Sequence, residues 1–291
     1  MIEVPQSFLD QPRWRRGDQG WLTELPLRVE AQCRHWSLER DGPLLHGSNA
    51  LVVPVRRGGA ELVLRLCPPS DDVAAEVAAL RFWAGRGTVL LIEADPAGGA
   101  VLLERLDGSR SLSRLPLSEA VPVLGRMMRR LAVPAPVEAP STTRVARNRR
   151  RNFVADWDRL GRPFSRPTLT RALRCAEELS VTASTLAVNG DLHFEQVLAG
   201  RREEWLCVDP VLLQGDIAYD LARVLWSRLD EMSDAPAIDR SFAAAVEAAG
   251  LDAEHARSWV VFRSVDYWLW GLDHGLTEDP VRCARLVEHF A

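Results

Sequence analysis

The side chains best suited to chemistry lie in two nearby stretches in the second half of the chain. Asp191 follows Asn-Gly in a loop between apolar segments, and Asp209 ends a second apolar run, with the amide of Gln196 between them. Magnesium prefers such oxygen ligands and often takes only one or two carboxylates, with phosphates and water completing its shell. Phosphoryl transfer needs little beyond positioning and charge neutralisation. The pattern therefore predicts a hydroxyl-activating base beside a magnesium site.

Short strands must hold these loops in place. Thr185–Val188 and Val197–Leu198 are apolar and predict strand ends on either side of a tight turn at Asp191. Nearer the start of the chain, Val- and Leu-rich segments separated by Gly and Pro predict five antiparallel strands: Trp36–Arg40, Leu51–Val55, Glu61–Leu66, Thr88–Glu93 and Val101–Arg105. One helix from Ser70 to Trp83 follows the third strand, because Ser-Asp-Asp caps an apolar helical face.

After Pro116 the periodicity is mostly helical. The predicted helices are Ser118–Leu131, Thr143–Leu160, Thr168–Leu179, Asp216–Leu229, Asp239–Ala249, Ala253–Trp270 and Pro280–Phe290. We therefore expect an α+β fold with a small β-rich N-terminal lobe over residues 1–105, a connector near Glu104–Ser113, and a larger helical lobe over residues 106–291.

Composition narrows the class of protein. The 291 residues suffice for two lobes, and 47% hydrophobic with 26% charged residues is ordinary for a globular protein. A net charge of −4 does not favour nucleic acid as a partner. The five scattered cysteines predict neither a disulfide framework nor a zinc site. With no apolar run long enough for a signal peptide or a membrane span, we expect a cytoplasmic protein.

Several segments resemble a known family. Asn189–Leu198 resembles the His-Gly-Asp-Leu-His-x-x-Asn-Val-Leu catalytic loop of antibiotic phosphotransferases, and Val208–Pro210 resembles that family's metal-binding element. Gly215–Leu221 is similar to its Gly-Asp-Pro-x-x-Asp-Leu element. The closer resemblance is to the aminoglycoside/hydroxyurea antibiotic resistance kinase branch, which is streptomycin 6-kinase-like. It extends over Leu51–Val55, Leu103–Arg110, Leu269–Trp270 and Gly275–Thr277. This resemblance implies a bilobal protein-kinase-like fold.

The resemblance also implies a role for each matching position in the helical lobe. Asp191 would be the catalytic base that orients and accepts the proton of the substrate hydroxyl. Asp209 would bind the magnesium ion that bridges the nucleotide phosphates, and Gln196 stands where the family has a metal-binding Asn. The implied cofactors are ATP and Mg²⁺.

In the β-rich lobe the resemblance implies the nucleotide contacts. Arg65 occupies the place of a phosphate-contacting lysine, and Glu76 on the following helix would pair with it. Ser48, in the loop Gly47–Asn49, would cover the phosphates, and the backbone from Glu104 to Leu106 would meet the adenine. All 36 basic residues of the chain other than histidine are arginines, so an arginine must serve wherever the family uses lysine. Arginine is larger and forked, which makes that exchange a substantial one.

The sequence says less about which residues would contact the substrate. Trp268 and Trp270 on a late helix could line a pocket for a ring, although core packing is the simpler explanation for Trp270. Glu195 and Asp273, with Asp266 and Glu278, could form an acidic cleft for a polycationic aminoglycoside, or they could be ordinary solvated acids. The basic run Arg144–Arg151 favours either an anionic partner or a solvated helix face.

The resulting hypothesis is an ATP- and magnesium-dependent O-phosphotransferase. Its acceptor would be a small hydroxylated molecule, with an antibiotic such as streptomycin as the leading expectation and a polycationic substrate as one possibility. A kinase acting on a biosynthetic intermediate or on a peptide Ser/Thr is one alternative. A pseudokinase scaffold is another, because positions 65, 189 and 196 depart from the family pattern. We expect a monomer or weak dimer, with neither membrane nor nucleic acid as a partner.

Overall fold

The computed structural model describes residues 2–11, 13–14 and 17–290. The chain forms two compact units, whose bounds are Met1–Gly108 with Ala199–Val208 and Ser109–Leu198 with Asp209–Ala291. The return of ten residues from the middle of the chain to the first unit has no signal in the sequence. The functional assignment of residues 1–105 and 106–291 stays a prediction.

In its described residues, the first unit contains an antiparallel sheet and three α-helices. Its elements are α1 (Gln6–Leu9), α2 (Gln19–His35), β1 (Glu39–Arg40), β2 (Leu45–His46), β3 (Leu51–Arg57), β4 (Ala60–Leu66), α3 (Val73–Trp83), β5 (Leu91–Asp95) and β6 (Ala100–Glu104). The strand order is β1-β3-β4-β6-β5, and β2 also pairs with β3. The predicted sheet is thus present, with the two-residue β2 added. The β3–β4 hairpin turns at Gly58-Gly59, where both residues have positive φ, as tight hairpin turns require.

Alternation along the strands sends side chains to two separate cores. Leu62 and Leu64 of β4 pack with α2 on one face, and Val101 and Leu103 of β6 pack with α3 on the other. Because successive strand residues point to opposite faces, Arg65 projects towards α3. The sheet thereby sets a buried arginine against the helix that carries the predicted acidic partner.

The second unit is mainly helical. Its helices are α4 (Leu117–Leu131), α5 (Thr142–Arg159), α6 (Arg166–Leu179), α7 (Leu221–Trp226), α8 (Ala235–Ala249), α9 (Ala253–Asp273) and α10 (Glu278–Phe290). The strands after β6 are β7 (Asp107–Ser111), β8 (Leu186–Val188), β9 (Val197–Ala199), β10 (Trp205–Cys207) and β11 (Leu213–Gly215). No helix in the described part of the chain is long and apolar enough to cross a membrane.

One predicted helix is wrong in its extent. The segment expected to be helical over Asp216–Leu229 is a 3-10 turn over Ile217–Asp220 followed by the short helix α7. The Asp216 side chain accepts a hydrogen bond from the Ala218 N–H and stabilises the tight first turn. This arrangement determines the directions in which Asp220 and the side chains of α7 point.

Candidate functional site

A small antiparallel strand pair supports the loop that carries Asp191. Strand β8 pairs with β11, so that Val188 lies opposite Leu213. The buried Asn189 joins the two loops beyond these strands, because its Oδ1 accepts from the backbone N–H of Asp191 at 3.4 Å and of Val211 at 3.3 Å. An amide at position 189 therefore fixes the Asp191 loop against the segment that follows Asp209.

Glycine is required at the turn itself. Gly190 has φ +82°, and a Cβ atom there would lie 2.9 Å from a methyl carbon of Leu213. A side chain would strain the backbone and collide with β11. The Asn-Gly-Asp sequence thus serves to bring the Asp191 carboxylate to a defined place at the end of β8.

The Asp191 carboxylate is held through both of its oxygens. Arg223 Nε forms an ion pair with Oδ1 at 2.9 Å, and Gln196 Nε2 donates to Oδ2 at 3.3 Å. The Asp191 side chain nevertheless stays 43% exposed. Burial raises the pKa of Asp191, and the positive charges of Arg223 and Arg263 oppose that rise. The group is an oriented carboxylate that a ligand can still reach.

Asp220 stabilises the same loop through hydrogen bonds to its backbone. This fully buried carboxylate accepts the backbone N–H groups of Gly190 and Leu192, which flank Asp191. Burial raises the pKa of Asp220 to about 7. In the sequence, Asp220 is marked by its place at the end of the Gly-Asp-x-x-x-Asp run just before α7, and the contact explains why an acid lies there.

Arg223 is a site residue that the sequence analysis missed. It lies three residues after Asp220, so both side chains share the face of α7 that meets the Asp191 loop. Its guanidinium carbon lies 5.8 Å from the ring centroids of Trp226 and Tyr267, and its side chain is only 18% exposed. The spacing from Asp220 is the signal that could have identified it.

The surroundings of Asp191 carry further buried charge. Arg263 lies over the ring of Tyr219, with its guanidinium carbon 4.1 Å from the centroid, and it pairs with Asp266 at 3.2 Å. Burial and the charge of Arg223 lower the pKa of His193 to about 3. His193 is therefore a neutral imidazole near pH 7, and Asp191 is the group beside it that can accept a proton as a carboxylate.

Two side chains offer oxygen atoms suited to a metal ion. Gln196 is buried, and its Oε1 has no hydrogen-bond partner within the described chain, while its Nε2 is engaged by Asp191. Asp209 has φ +57°, a left-handed conformation that is uncommon outside glycine and is often found at functional sites. The Asp209 carboxylate is close enough to raise the pKa of Asp191. This donor set of hard oxygens fits Mg²⁺.

The first unit contains a second set of predicted residues. Arg65 Nη1 forms an ion pair with Glu76 Oε1, and each side chain is 9% exposed. Arg65 Nη2 also donates to Asn49 Oδ1 at 3.3 Å, and Asn49 Nδ2 donates to Asp71 at 3.1 Å. The pair is therefore buried and is not a surface ion pair. Its role towards a nucleotide stays a prediction.

The remaining predicted nucleotide contacts lie in the same unit. Ser48 is exposed in the turn between β2 and β3, where Gly47 N–H donates to Ala50 O at 3.0 Å. Glu104 at the end of β6 accepts from Leu90 N–H at 2.8 Å and from Arg202 at 2.7 Å. Its carboxylate therefore stabilises the strand end. Leu106 packs against the apolar cluster under α3.

The two predicted substrate tryptophans have different surroundings. Trp268 packs on Phe164, with ring centroids 4.8 Å apart, whereas Trp270 stacks between Tyr267 and His274 in the helix sequence. Core packing, the simpler explanation expected for Trp270, is wrong, because Trp270 is 45% exposed and its ring stacks on that of Tyr267, which lies beside Arg223. Core-side packing accounts for Trp268 without a ligand.

The predicted acidic cleft is largely compensated by arginines. Glu195 is exposed, but the other three acids each pair with an arginine: Asp266 with Arg149 and Arg263, Asp273 with Arg159, and Glu278 with Arg282. The basic run on α5 supplies part of this compensation. Arg147 donates to Ser180 O and Arg150 pairs with Glu177, so the run is partly engaged within the unit.

The chain is similar to known proteins over most of its length. Residues 35–275 match the family model described as aminoglycoside/hydroxyurea antibiotic resistance kinase. A streptomycin 6-kinase of Streptomyces griseus is 34% identical, with 95% of this chain and 93% of the relative covered. A hydroxyurea phosphotransferase of Kitasatospora aureofaciens is also 34% identical, with 99% and 86% covered.

Solved structures confirm the predicted fold class. An aminoglycoside phosphotransferase in complex with ADP and hygromycin B has a TM-score of 0.64 at 15% identity, covering 90% of this chain and 98% of that chain. A choline/ethanolamine kinase family protein from Mesorhizobium loti has a TM-score of 0.64 at 17% identity, covering 90% and 94%. The fold is protein-kinase-like, and the chain belongs to the aminoglycoside/hydroxyurea antibiotic resistance kinase family.

Proposed function

We propose that the protein transfers the γ-phosphoryl group of ATP to a hydroxyl group of a small molecule. The observation that carries this proposal is the Asp191 carboxylate, which is oriented by Arg223 and Gln196 and is still 43% exposed. An oriented, reachable carboxylate is what a hydroxyl acceptor needs, because phosphoryl transfer depends mainly on positioning and on charge stabilisation.

In the proposed reaction Asp191 accepts a hydrogen bond from the acceptor hydroxyl and aligns its oxygen with the γ-phosphorus. The new oxygen–phosphorus bond forms as the bond to the β,γ-bridging oxygen breaks, and ADP leaves. The hydroxyl proton passes to Asp191. Asp220 and Asn189 act by holding the loop, through the backbone N–H groups on either side of Asp191 and through that of Asp191 itself.

Asp209 and the free Oε1 of Gln196 would hold the magnesium ion. The ion would neutralise the phosphate charge that develops during transfer. Glutamine at position 196 suits both tasks, since its amide nitrogen donates to Asp191 while its amide oxygen remains available.

On the nucleotide side we assign the phosphate contact to Arg65. Glu76 and Asn49 fix its guanidinium by one ion pair and one hydrogen bond. The Ser48 turn would cover the phosphates, and the backbone from Glu104 to Leu106 would meet the adenine. The use of ATP is supported by the nucleotide complexes of proteins with this fold.

The relatives suggest the first acceptors to test. Their names specify streptomycin and hydroxyurea, both small molecules that carry a hydroxyl group. We therefore propose an antibiotic resistance kinase acting on an acceptor of this kind in the cytoplasm.

The pseudokinase alternative differs in one measurable respect, because a scaffold without a working metal site has no reason to bind ATP more tightly when magnesium is present.

Titration calorimetry with ATP, in the presence and absence of magnesium, tests the metal site. We expect magnesium to strengthen ATP binding, and Asp209→Asn to weaken binding with magnesium by at least about tenfold. Asp273→Asn is the matched control, because this exposed acid pairs with Arg159 and is not one of the proposed magnesium ligands, so its loss should leave affinity unchanged. ATP binding that is absent, or indifferent to magnesium, would contradict the proposal and favour a scaffold.

A further inference from the structure

Arg223 carries a positive charge that is fixed beside the proposed base. Its Nε lies 2.9 Å from Asp191 Oδ1, and the rings of Trp226 and Tyr267 contact the guanidinium from α7 and α9. Only 18% of the side chain is exposed. Because the rings confine the group, the charge cannot move far from Asp191 when an acceptor arrives.

Arg223 and Arg263 place two positive charges close to Asp191. Arg263 adds a second buried positive charge that lowers the pKa of Asp191, whereas the negative charge of Asp209 raises it. Further out, Asp266, Asp273 and Glu278 are compensated by arginines. An acceptor cation placed next to a hydroxyl bound at Asp191 would lie close to the guanidinium of Arg223.

Like charges a few ångströms apart repel strongly where water is scarce. A neutral hydroxyl has no such cost, and it can still donate to the exposed part of the Asp191 carboxylate. We infer that Arg223 is a specificity-determining residue, which selects acceptors that have no positive charge next to the reacting hydroxyl. This inference rests on the proposed function and narrows its substrate class.

The two similar relatives make this inference testable with available compounds. Streptomycin is a polycation, whereas hydroxyurea is a small uncharged molecule, and enzymes named for each are equally similar to this chain in sequence. Sequence identity therefore does not separate the two acceptor classes. The fixed charge of Arg223 favours the uncharged acceptor.

The experiment compares kcat/KM for hydroxyurea and for streptomycin in four proteins by following ADP release. These are the wild type, Arg223→Met, Arg223→Lys and Arg240→Gln. Methionine keeps an apolar stem against the rings without the charge, lysine keeps the charge without the fork, and Arg240 is an exposed arginine on α8 that serves as the control. The measured quantity is the ratio of the two kcat/KM values.

We expect the wild type to prefer hydroxyurea, and Arg223→Met to reduce that preference at least about tenfold, equivalent to about 1.4 kcal/mol. Arg223→Lys and Arg240→Gln should keep the preference. A residue that only supports Asp191 would lower both kcat/KM values alike and leave the ratio unchanged. A wild-type preference for streptomycin, or an unchanged ratio in Arg223→Met, would overturn the inference.

A binding measurement decides the matter if neither compound is turned over. Calorimetry with streptomycin and the protein bound to magnesium and AMP-PNP should show at least about tenfold tighter binding in Arg223→Met than in the wild type. Equal affinity would overturn the inference. Failure of the proposed function is a separate result, namely wild-type protein whose ATP binding does not respond to magnesium.

Discussion

Each of the two compact units contains an arginine–carboxylate pair, and the pairs differ in which partner is exposed. In the first unit Arg65 and Glu76 are both 9% exposed, and Asn49 takes a further donor of the arginine. In the second unit Arg223 is 18% exposed but Asp191 is 43% exposed. The same two residue types thus give a buried, fixed arginine in one place and a reachable carboxylate in the other.

The difference in burial determines which partner of each ion pair is held in place and which remains open to a ligand. Glu76 supports Arg65, because a buried guanidinium needs a compensating charge. Arg223 supports Asp191, because rings confine the arginine while the carboxylate remains open to a ligand. Variants of the two pairs should therefore fail in different ways, the first in folding stability and the second in turnover.

The largest expected effect is on turnover. Asp191→Asn keeps the shape of the side chain but removes the proton acceptor, so kcat should fall about 100- to 10,000-fold. The affinity for ATP with magnesium should change little. Steady-state kinetics and calorimetry measure the two quantities, and near-normal turnover in this variant would exclude Asp191 as the base.

Glu76→Gln should act mainly on folding. Removing one partner of a buried pair leaves an uncompensated charge, which costs about 3–5 kcal/mol of unfolding free energy. Glu24→Gln is the matched control, because Glu24 forms an exposed pair with Arg28 one helical turn away. Denaturant unfolding measures both. Equal, small losses for the two variants would show that the first pair is not held by burial.

Asp220 gives a pH-dependent effect in the second unit. Its pKa is raised by burial to about 7, so the unfolded state ionises near pH 4 while the folded state still holds its proton. The contribution of this group to stability therefore falls as pH rises from about 4 to about 7. Asp220→Asn should remove that contribution. Urea unfolding across this range should show the unfolding free energy of the wild type falling relative to that of the variant as pH rises. A constant difference between the two free energies would contradict the account.

The smallest expected effect belongs to His255, which pairs with Asp216 at the turn before α7. The hydrogen bond to Asp216 raises the pKa of His255. The pair's contribution is therefore complete below pH 6.5 and is lost as pH rises through the higher folded pKa. The His255 side chain is 38% exposed, so His255→Gln should cost at most about 1 kcal/mol. A loss that is larger at pH 9 than at pH 6 would have the wrong sign.

The sequence predicted the fold class and the long helices well, because apolar periodicity and capping residues are local signals. Helix α3 begins after Asp72, whose side chain accepts from Ala75 N–H as the Ser-Asp-Asp pattern indicated. Helix α2 was missed, since Trp, Arg and Pro are mixed through that segment and Pro26 lies inside the helix. The apolar side chains of α2 form a recognisable pattern only once they are seen packed against the sheet.

The site was less predictable wherever it depends on tertiary contact. The Asp191 and Asp209 loops follow from motifs, but Arg223 has no motif of its own and is identified by its three-residue spacing from Asp220 and by the distance to Asp191. The acidic cleft was expected from the charges of single residues. The compensation of Asp266 and Asp273 by arginines of α5 depends on helix packing that no local pattern gives, whereas the pair of Glu278 with Arg282 is local to α10.

Phosphorus NMR of ATP, magnesium and hydroxyurea or streptomycin with the protein tests the central claim most directly. The account predicts that the γ-phosphate signal of ATP is replaced by ADP and a new phosphorylated acceptor with the wild type, and that Asp191→Asn produces neither at a comparable rate. A phosphorylated acceptor formed equally fast by Asp191→Asn, or release of inorganic phosphate alone with every acceptor, would contradict a phosphotransferase that works through Asp191.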